Sequence, residues 1–303
     1  MSRQERVVYL NGDILPESEA SIPIRDLGFV HGDAAFDTSR TFNGEVFKLQ
    51  EHIDRLYQSC KYLRIDPGMD KQRMVRTTLD VVERNVPLLG PNEDYWVTQR
   101  ITRGVADEVE SHPTVLIECR LLPLAERARY YRTGIPLMTS SLRRTPPYAV
   151  SPQAKTHNYL NVVLADMEVK AKDADAWVMM LDEEGNLAEG SSNNVFVIKA
   201  GLLATPRSQM VLNGISRQTV LELAVGLGIP TEERDIDLYD AYTSDEMFIT
   251  STSLCICPVL SLNGITVGDD RIPGPITEGL MAAFSELAHM DYVAQYMAHM
   301  ERG

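Results

Sequence analysis

The apolar residues of this 303-residue chain change period several times along its length, and that alternation most limits the folds open to it. Val7, Val8, Tyr9 and Leu10 run into Asn11-Gly12, the strongest two-residue hairpin turn, with Ile14 and Leu15 beyond it, so the chain opens on paired strands. From Ile53 the spacing becomes helical, with Leu56, Tyr57, Cys60 and Leu63 on the same stripe, and a second helix is expected over 71–84, closed by Pro87. Strand-like runs follow at 95–102 and 114–122. The stretch 123–134 is charged, interleaves Arg127, Arg129 and Arg132 with Tyr130 and Tyr131, and lacks a clean period. It reads as a linker between a small N-terminal domain, 1–122, and a larger C-terminal domain, 135–303. In the latter, strands are expected at 135–139, 177–181, 195–198 and 256–262, and helices at 159–171, around Val220 to Leu227, and at 276–287. The chain is therefore α+β, and with no recurring period it is not a solenoid.

Charge and composition narrow the partners. Forty-three acidic against twenty-nine basic residues give a net charge of -14, which repels phosphate backbones and anionic lipid and argues against nucleic-acid or membrane binding. No apolar run approaches the roughly 18 residues of a membrane span, and the first residues are polar, so a cytoplasmic location is expected. Cys60, Cys119, Cys255 and Cys257 include no C-x-x-C pair and read as free thiols, and no metal site is expected.

Several chemical signatures fail on inspection. Gly226-Leu227-Gly228 follows a helix and meets Thr231 where a dinucleotide loop needs glycine. Ser151 and Lys155 are one residue too far apart for the penicillin-binding pattern. What remains is a set of polar residues in loops. Lys155, between a Pro-rich loop and a helix, could attack an aldehyde cofactor, although lysines at such places are mostly solvated. Glu189, in Ala188-Glu189-Gly190-Ser191-Ser192-Asn193, could pair with a protonated pyridine nitrogen or be an exposed strand-end acid. Ser216 suits a helix N-cap, where N–H groups and the positive end of the dipole welcome phosphate, with the helix beginning near Arg217. Thr250-Ser251-Thr252-Ser253 is hydroxyl-rich, and Arg55 lies off the apolar stripe of its helix.

Taken together and in order, Glu51-His52-Ile53-Asp54-Arg55-Leu56, Lys155 with Tyr159, Ala188-Glu189-Gly190-Ser191-Ser192-Asn193-Asn194-Val195-Phe196, Asn213-Gly214-Ile215-Ser216-Arg217 and Phe248-Ile249-Thr250-Ser251-Thr252 resemble the class IV aminotransferases. These fold-type IV pyridoxal-phosphate enzymes include branched-chain and D-amino-acid aminotransferases, (R)-amine transaminases and aminodeoxychorismate lyases. The resemblance spans nearly the whole chain. It implies a small N-terminal α/β domain, a larger β-barrel-like C-terminal domain with flanking helices, a homodimer, and pyridoxal 5'-phosphate as cofactor. It further implies that Lys155 holds the cofactor covalently and then shuttles a proton, that Glu189 keeps the ring nitrogen protonated, and that Tyr159 bonds the ring's phenolic oxygen. Arg55, the backbone of Ile215 and Ser216, Thr252 and Ser253 would hold the phosphate and its surroundings. The reaction implied is ping-pong transfer of an amino group from an amine donor to a 2-oxo acid.

The substrate pocket implied by the resemblance is of mixed type. His31, Phe36, Arg40 and Leu254 would line it. Val105-Ala106-Asp107-Glu108-Val109-Glu110 stands where D-amino-acid enzymes carry a cationic carboxylate trap. Arg40, with Arg100 behind it, is the candidate to receive the acceptor's carboxylate, a structural ion pair being its alternative role. The expected donor is a hydrophobic or branched-chain amino acid or an (R)-primary amine. An aminodeoxychorismate-lyase-like reaction and a non-catalytic cofactor-binding protein are the competing readings.

Overall fold

The computed structural model describes residues 5–105, 112–269 and 271–300. The chain forms two compact units, one of residues 1–122 with 154–158 and one of residues 123–153 with 159–303. The five-residue segment that carries Lys155 thus belongs to the first unit.

The first unit contains β1 (Val7–Leu10), β2 (Asp13–Pro16), α1 (Leu27–His31), β3 (Ala34–Phe42), β4 (Glu45–Val46), α2 (Leu49–Leu63), α3 (Lys71–Asn85), β5 (Tyr95–Thr102) and β6 (Val115–Leu121). The strands form one sheet in the order β2-β1-β6-β5-β3-β4, antiparallel throughout. The β1–β2 turn places Asn11 at φ 51° and Gly12 at φ 119°, left-handed values that this residue pair tolerates best. Helices α2 and α3 supply the apolar stripe read from the sequence. Ile53, Leu56 and Cys60 of α2 and Met74, Val81 and Val82 of α3 are buried in one core with Tyr95, Val97, Ile101, Ile117 and Cys119 of the sheet. Asp70 caps α3 by accepting from the backbone N–H of Arg73 at 2.7 Å.

The second unit contains α4 (Leu124–Arg127), α5 (Tyr130–Thr133), β7 (Ile135–Thr139), α6 (Leu160–Lys172), β8 (Trp177–Leu181), β9 (Leu187–Gly190), β10 (Asn194–Lys199), β11 (Leu202–Thr205), α7 (Ile215–Gly226), β12 (Thr231–Glu233), α8 (Leu238–Tyr242), β13 (Glu246–Ser251), β14 (Cys255–Leu262), β15 (Ile265–Thr266), α9 (Pro275–Leu287) and α10 (Tyr292–Met300). Strands β10, β13, β14, β7, β8 and β9 pair in sequence, and β9 pairs back to β10 through Glu189 and Asn194. That last pairing closes a six-stranded barrel, so none of these strands is left as a free edge on that side. The runs 194–198, 246–251 and 255–259 are buried at every position, as a barrel interior covered outside by helices requires.

The stretch 123–134 differs from expectation. It folds as α4 and α5 and belongs to the second unit, with Leu124, Ala128, Tyr130 and Tyr131 buried. Tyr131 packs against Tyr292 and Tyr296 of α10, ring centroids 5.9 and 4.8 Å apart. The arginines that make this stretch look like a linker alternate with these buried residues along two short helices.

Candidate active site

In the first unit the site is built on β3. The segment 154–158 lies against this strand: the Phe36 N–H donates to the Lys155 carbonyl and the His157 N–H to the Ala34 carbonyl, both at 3.0 Å. The Lys155 N–H donates to Ser59 Oγ of α2, also at 3.0 Å. Both sides of the lysine's backbone are therefore tied down. Its Nζ lies 4.6 Å from the centroid of the Phe36 ring, so the amine and an apolar wall share one place. His157 closes on the same ring edge-on at 5.3 Å. Burial, reinforced by the positive charge of Arg100, lowers the His157 pKa to about 4, which leaves this imidazole neutral at physiological pH.

One residue along β3, Asp37 turns to the opposite face and meets α2. Arg55 donates to both its oxygens, Nε to Oδ2 at 2.8 Å and Nη2 to Oδ1 at 2.7 Å, and His52 Nδ1 lies 2.7 Å from Oδ1. All three side chains are buried. Burial alone would raise the Asp37 carboxyl, but Arg55 and His52 beside it hold it well below the usual carboxylate range. Burial lowers His52 more than Asp37 raises it, so this imidazole is neutral and donates its Nδ1 proton to the aspartate. Sequence reasoning assigns no role to Asp37 or His52. The spacing of His52 and Arg55, three apart on one helix face, is the available signal.

The remaining residues expected in this unit fall elsewhere. Arg40 is only 2% exposed; its Nε donates to the Thr41 carbonyl at 3.0 Å and its Nη2 lies 3.9 Å from Asp94. Its guanidinium also stacks over Phe42 at 4.1 Å. This is the structural ion pair, not an open carboxylate receiver. Arg100 is paired with Glu118 across the sheet. His31 ends α1 and is exposed. The segment 106–110, where the sequence lacks a cationic trap, lies outside the described residues.

In the second unit the polar residues gather around the barrel closure and the start of α7. Glu189, buried at the end of β9, accepts from Arg144 Nε at 2.8 Å through one oxygen and from the Leu212 N–H at 3.0 Å and Asn194 Nδ2 at 3.4 Å through the other. It is therefore not an exposed strand-end acid. Helix α7 starts earlier than the sequence suggests, at Ile215, and its N-cap is Gly214, which brings no side-chain cap. A Cβ on Gly214 would collide with the Asn194 side chain, so only glycine lets the helix start this close. Ser216 is inside the helix, and its hydroxyl donates to the Ser251 carbonyl at 3.1 Å instead of capping.

The Thr250–Leu254 turn is held from behind. Tyr131 donates to the Leu254 carbonyl at 2.5 Å, Tyr296 to the Ser253 carbonyl at 2.7 Å and Tyr292 to the Ile256 carbonyl at 3.2 Å. Arg127 donates to the Ser253 hydroxyl. Ser253 and Leu254 are buried, Thr252 half-buried, and the Thr250 hydroxyl and the Asn193 amide are buried with no hydrogen-bond partner. Tyr159 is the half-buried residue preceding α6 and packs on the cluster of Val162, Ala165 and Val169.

These donors suit pyridoxal phosphate. An uncapped start of a twelve-residue helix offers N–H groups and a positive dipole end to a phosphate, an acid fixed in place by Arg144 suits a protonated ring nitrogen, and a lysine with a fixed backbone suits an aldehyde.

Residues 34–262 match the family model for amino-transferase class IV. The chain is 35% identical over 286 residues to a putative branched-chain-amino-acid aminotransferase of Methanocaldococcus jannaschii, covering 92% of this chain and 96% of that one. It is 30% identical to a D-alanine aminotransferase of Bacillus licheniformis, covering 91% and 95%. It superposes with a TM-score of 0.83 on the T.th. branched-chain amino acid aminotransferase complexed with N-(5'-phosphopyridoxyl)-L-glutamate, at 26% identity and covering 94% and 95%.

Proposed function

The chain belongs to the class IV aminotransferases and is a pyridoxal-phosphate-dependent transaminase, and we propose that it moves the amino group of a hydrophobic or branched-chain amino acid to a 2-oxo acid, with Lys155 as its catalytic residue. The lyase and binding-only readings are not favoured by relatives that are themselves aminotransferases. When bound, the cofactor supplies an electron-accepting ring for carbanion chemistry. Lys155 would hold the cofactor through its Nζ, and the same amine would carry the proton at the substrate's Cα. Its position over Phe36 is the observation that carries the reading. The ring gives that amine a low-polarity wall, and the same wall suits an aliphatic donor side chain.

In this reading Arg55, oriented by Asp37 and His52, binds the phosphate together with the N–H groups of Ile215 and Ser216 and with Thr252. Glu189 keeps the ring nitrogen protonated, Arg144 orients Glu189 through its 2.8 Å hydrogen bond, and Tyr159 donates to the phenolic oxygen. His31 and Leu254 border the substrate, and Ser253 sits between cofactor and substrate. The protein acts as a homodimer. The described residues contain no helix long and apolar enough to cross a membrane.

The test is a donor panel. Purified protein is mixed separately with L-leucine, D-alanine and (R)-1-phenylethylamine, and the cofactor's visible absorption is followed. L-Leucine is expected to bleach it, and a 2-oxo acid to restore it. Bleaching by D-alanine or the amine alone would overturn the donor assignment.

A further inference from the structure

His52, Arg55 and Ser59 stand at positions i, i+3 and i+7 of α2, on one face of the helix, and all three are buried. Ser59, only 1% exposed, bonds on two sides at once. Its hydroxyl donates to the Arg55 carbonyl one turn back at 3.0 Å and accepts from the Lys155 N–H, also at 3.0 Å. A hydroxyl carries one proton, so the bond to Arg55 fixes its rotor and turns the lone pairs toward the lysine. Bonding back to the carbonyl four residues earlier is ordinary for serine in a helix. The N–H that Ser59 receives, however, comes from 96 residues along the chain. Without that oxygen the Lys155 N–H loses this acceptor, and the backbone bonds that remain on either side run to β3, from the Phe36 N–H to Lys155 and from the His157 N–H to Ala34. Lys155 stands close enough to α2 that its charge, with that of Arg55, adds to burial in lowering the His52 pKa against the pull of Asp37. Arg55 is thus held at both ends: Asp37 fixes the guanidinium, and the Ser59 hydroxyl engages the backbone from which it projects.

We propose that Ser59 is a positioning residue for cofactor capture, its hydroxyl setting the spacing between the Lys155 amine and the Arg55 guanidinium. The proposal rests on the reading that gives Lys155 the aldehyde and Arg55 the phosphate. A molecule anchored at one end reacts quickly at the other only where the two protein groups stand at matching separation. A molecule without the phosphate has one anchor, and the spacing does not concern it.

The experiment strips the full-length protein of cofactor and follows, by visible absorption, the rate at which it captures pyridoxal phosphate and, separately, pyridoxal, in wild type, Ser59→Ala, Ser59→Thr and Tyr57→Phe. Ser59→Ala is expected to slow capture of pyridoxal phosphate at least about tenfold, the worth of one buried hydrogen bond, while pyridoxal changes less than about twofold. Ser59→Thr keeps the hydroxyl and should recover most of the loss. Tyr57→Phe removes another hydroxyl-to-carbonyl bond of α2, the one from Tyr57 to Met69 at 2.7 Å, and should leave both rates within about twofold of wild type. The proposal is overturned if Ser59→Ala captures pyridoxal phosphate within about twofold of the wild-type rate, if both aldehydes slow together, or if Tyr57→Phe slows pyridoxal phosphate equally. Should Ser59→Ala lose its fold, Ser59→Cys, whose thiol is a poor acceptor, is judged by the same limits. Wild-type protein that captures neither aldehyde on Lys155 would instead refute the function itself, which separates the two failures.

Discussion

The two units hold their functional groups by different means. In the first, Arg55 is fixed by a buried carboxylate, Asp37, that also engages His52, so three ionisable side chains are withdrawn from water together. In the second, the Thr250–Leu254 turn is fixed by tyrosine hydroxyls donating to backbone carbonyls, and the start of α7 by backbone geometry. A buried charge cluster is stable only while every member is present, because each lost partner leaves a desolvated charge. Neutral hydroxyl-to-carbonyl bonds fail one at a time and cheaply. The first arrangement gives stiff orientation of one guanidinium; the second tolerates change in the loop it supports.

The sharpest way to break this contrast is Asp37→Ala. It strands the Arg55 guanidinium beside a neutral His52, and unfolding of the apoprotein by denaturant should show a loss of about 3–5 kcal/mol. A loss under about 1 kcal/mol would mean that the cluster is not a unit. Acid tests the same contrast with less force. His157 binds a proton near 6.5 when unfolded but only at about 4 when folded, and His52 is depressed in the same direction. Between those values the unfolded chain holds more protons, so stability is full above about pH 6.5 and falls as pH drops toward 4. The loss from His157 is about 3 kcal/mol, and His157→Asn should flatten the profile by most of it. Hydrogen exchange at pH 5 should show the first unit opening before the second; uniform opening would remove the distinction. Asp37 adds its own loss only below the ordinary carboxylate range.

The smallest expected effect is that of Tyr131→Phe. Burial keeps the Tyr131 phenol protonated far above its ordinary range, so it is a permanent donor to Leu254. Removing it should cost about 1 kcal/mol and leave cofactor retention unchanged. A cost matching that of Asp37→Ala would show that the second unit is as brittle as the first.

Legibility in the sequence follows the same division. Elements with strong local signals are found where the sequence puts them: the Asn11-Gly12 hairpin, the Ile53-to-Leu63 stripe, the strands β5, β7 and β8. Strands β9, β11 and β12, three or four residues each, carry too little pattern to be read, because it is barrel closure and sheet pairing that make them strands. Helix α10 escapes the sequence for a related reason: its tyrosines face inward to meet Tyr131, a partner far away along the chain. The linker reading of 123–134 fails because interspersed charge on short helices masks the buried residues between. Among candidate site residues, the motif-borne ones are nameable from the resemblance. The partners that orient them, Asp37, Arg144 and Arg127, are supplied by tertiary contacts 18, 45 and 126 residues away.

The most direct test of the central claim is borohydride reduction of the purified protein followed by peptide mass spectrometry. A pyridoxyl adduct is expected on Lys155, in the peptide that spans Thr156 and His157. An adduct on any other lysine, or none at all, would contradict it.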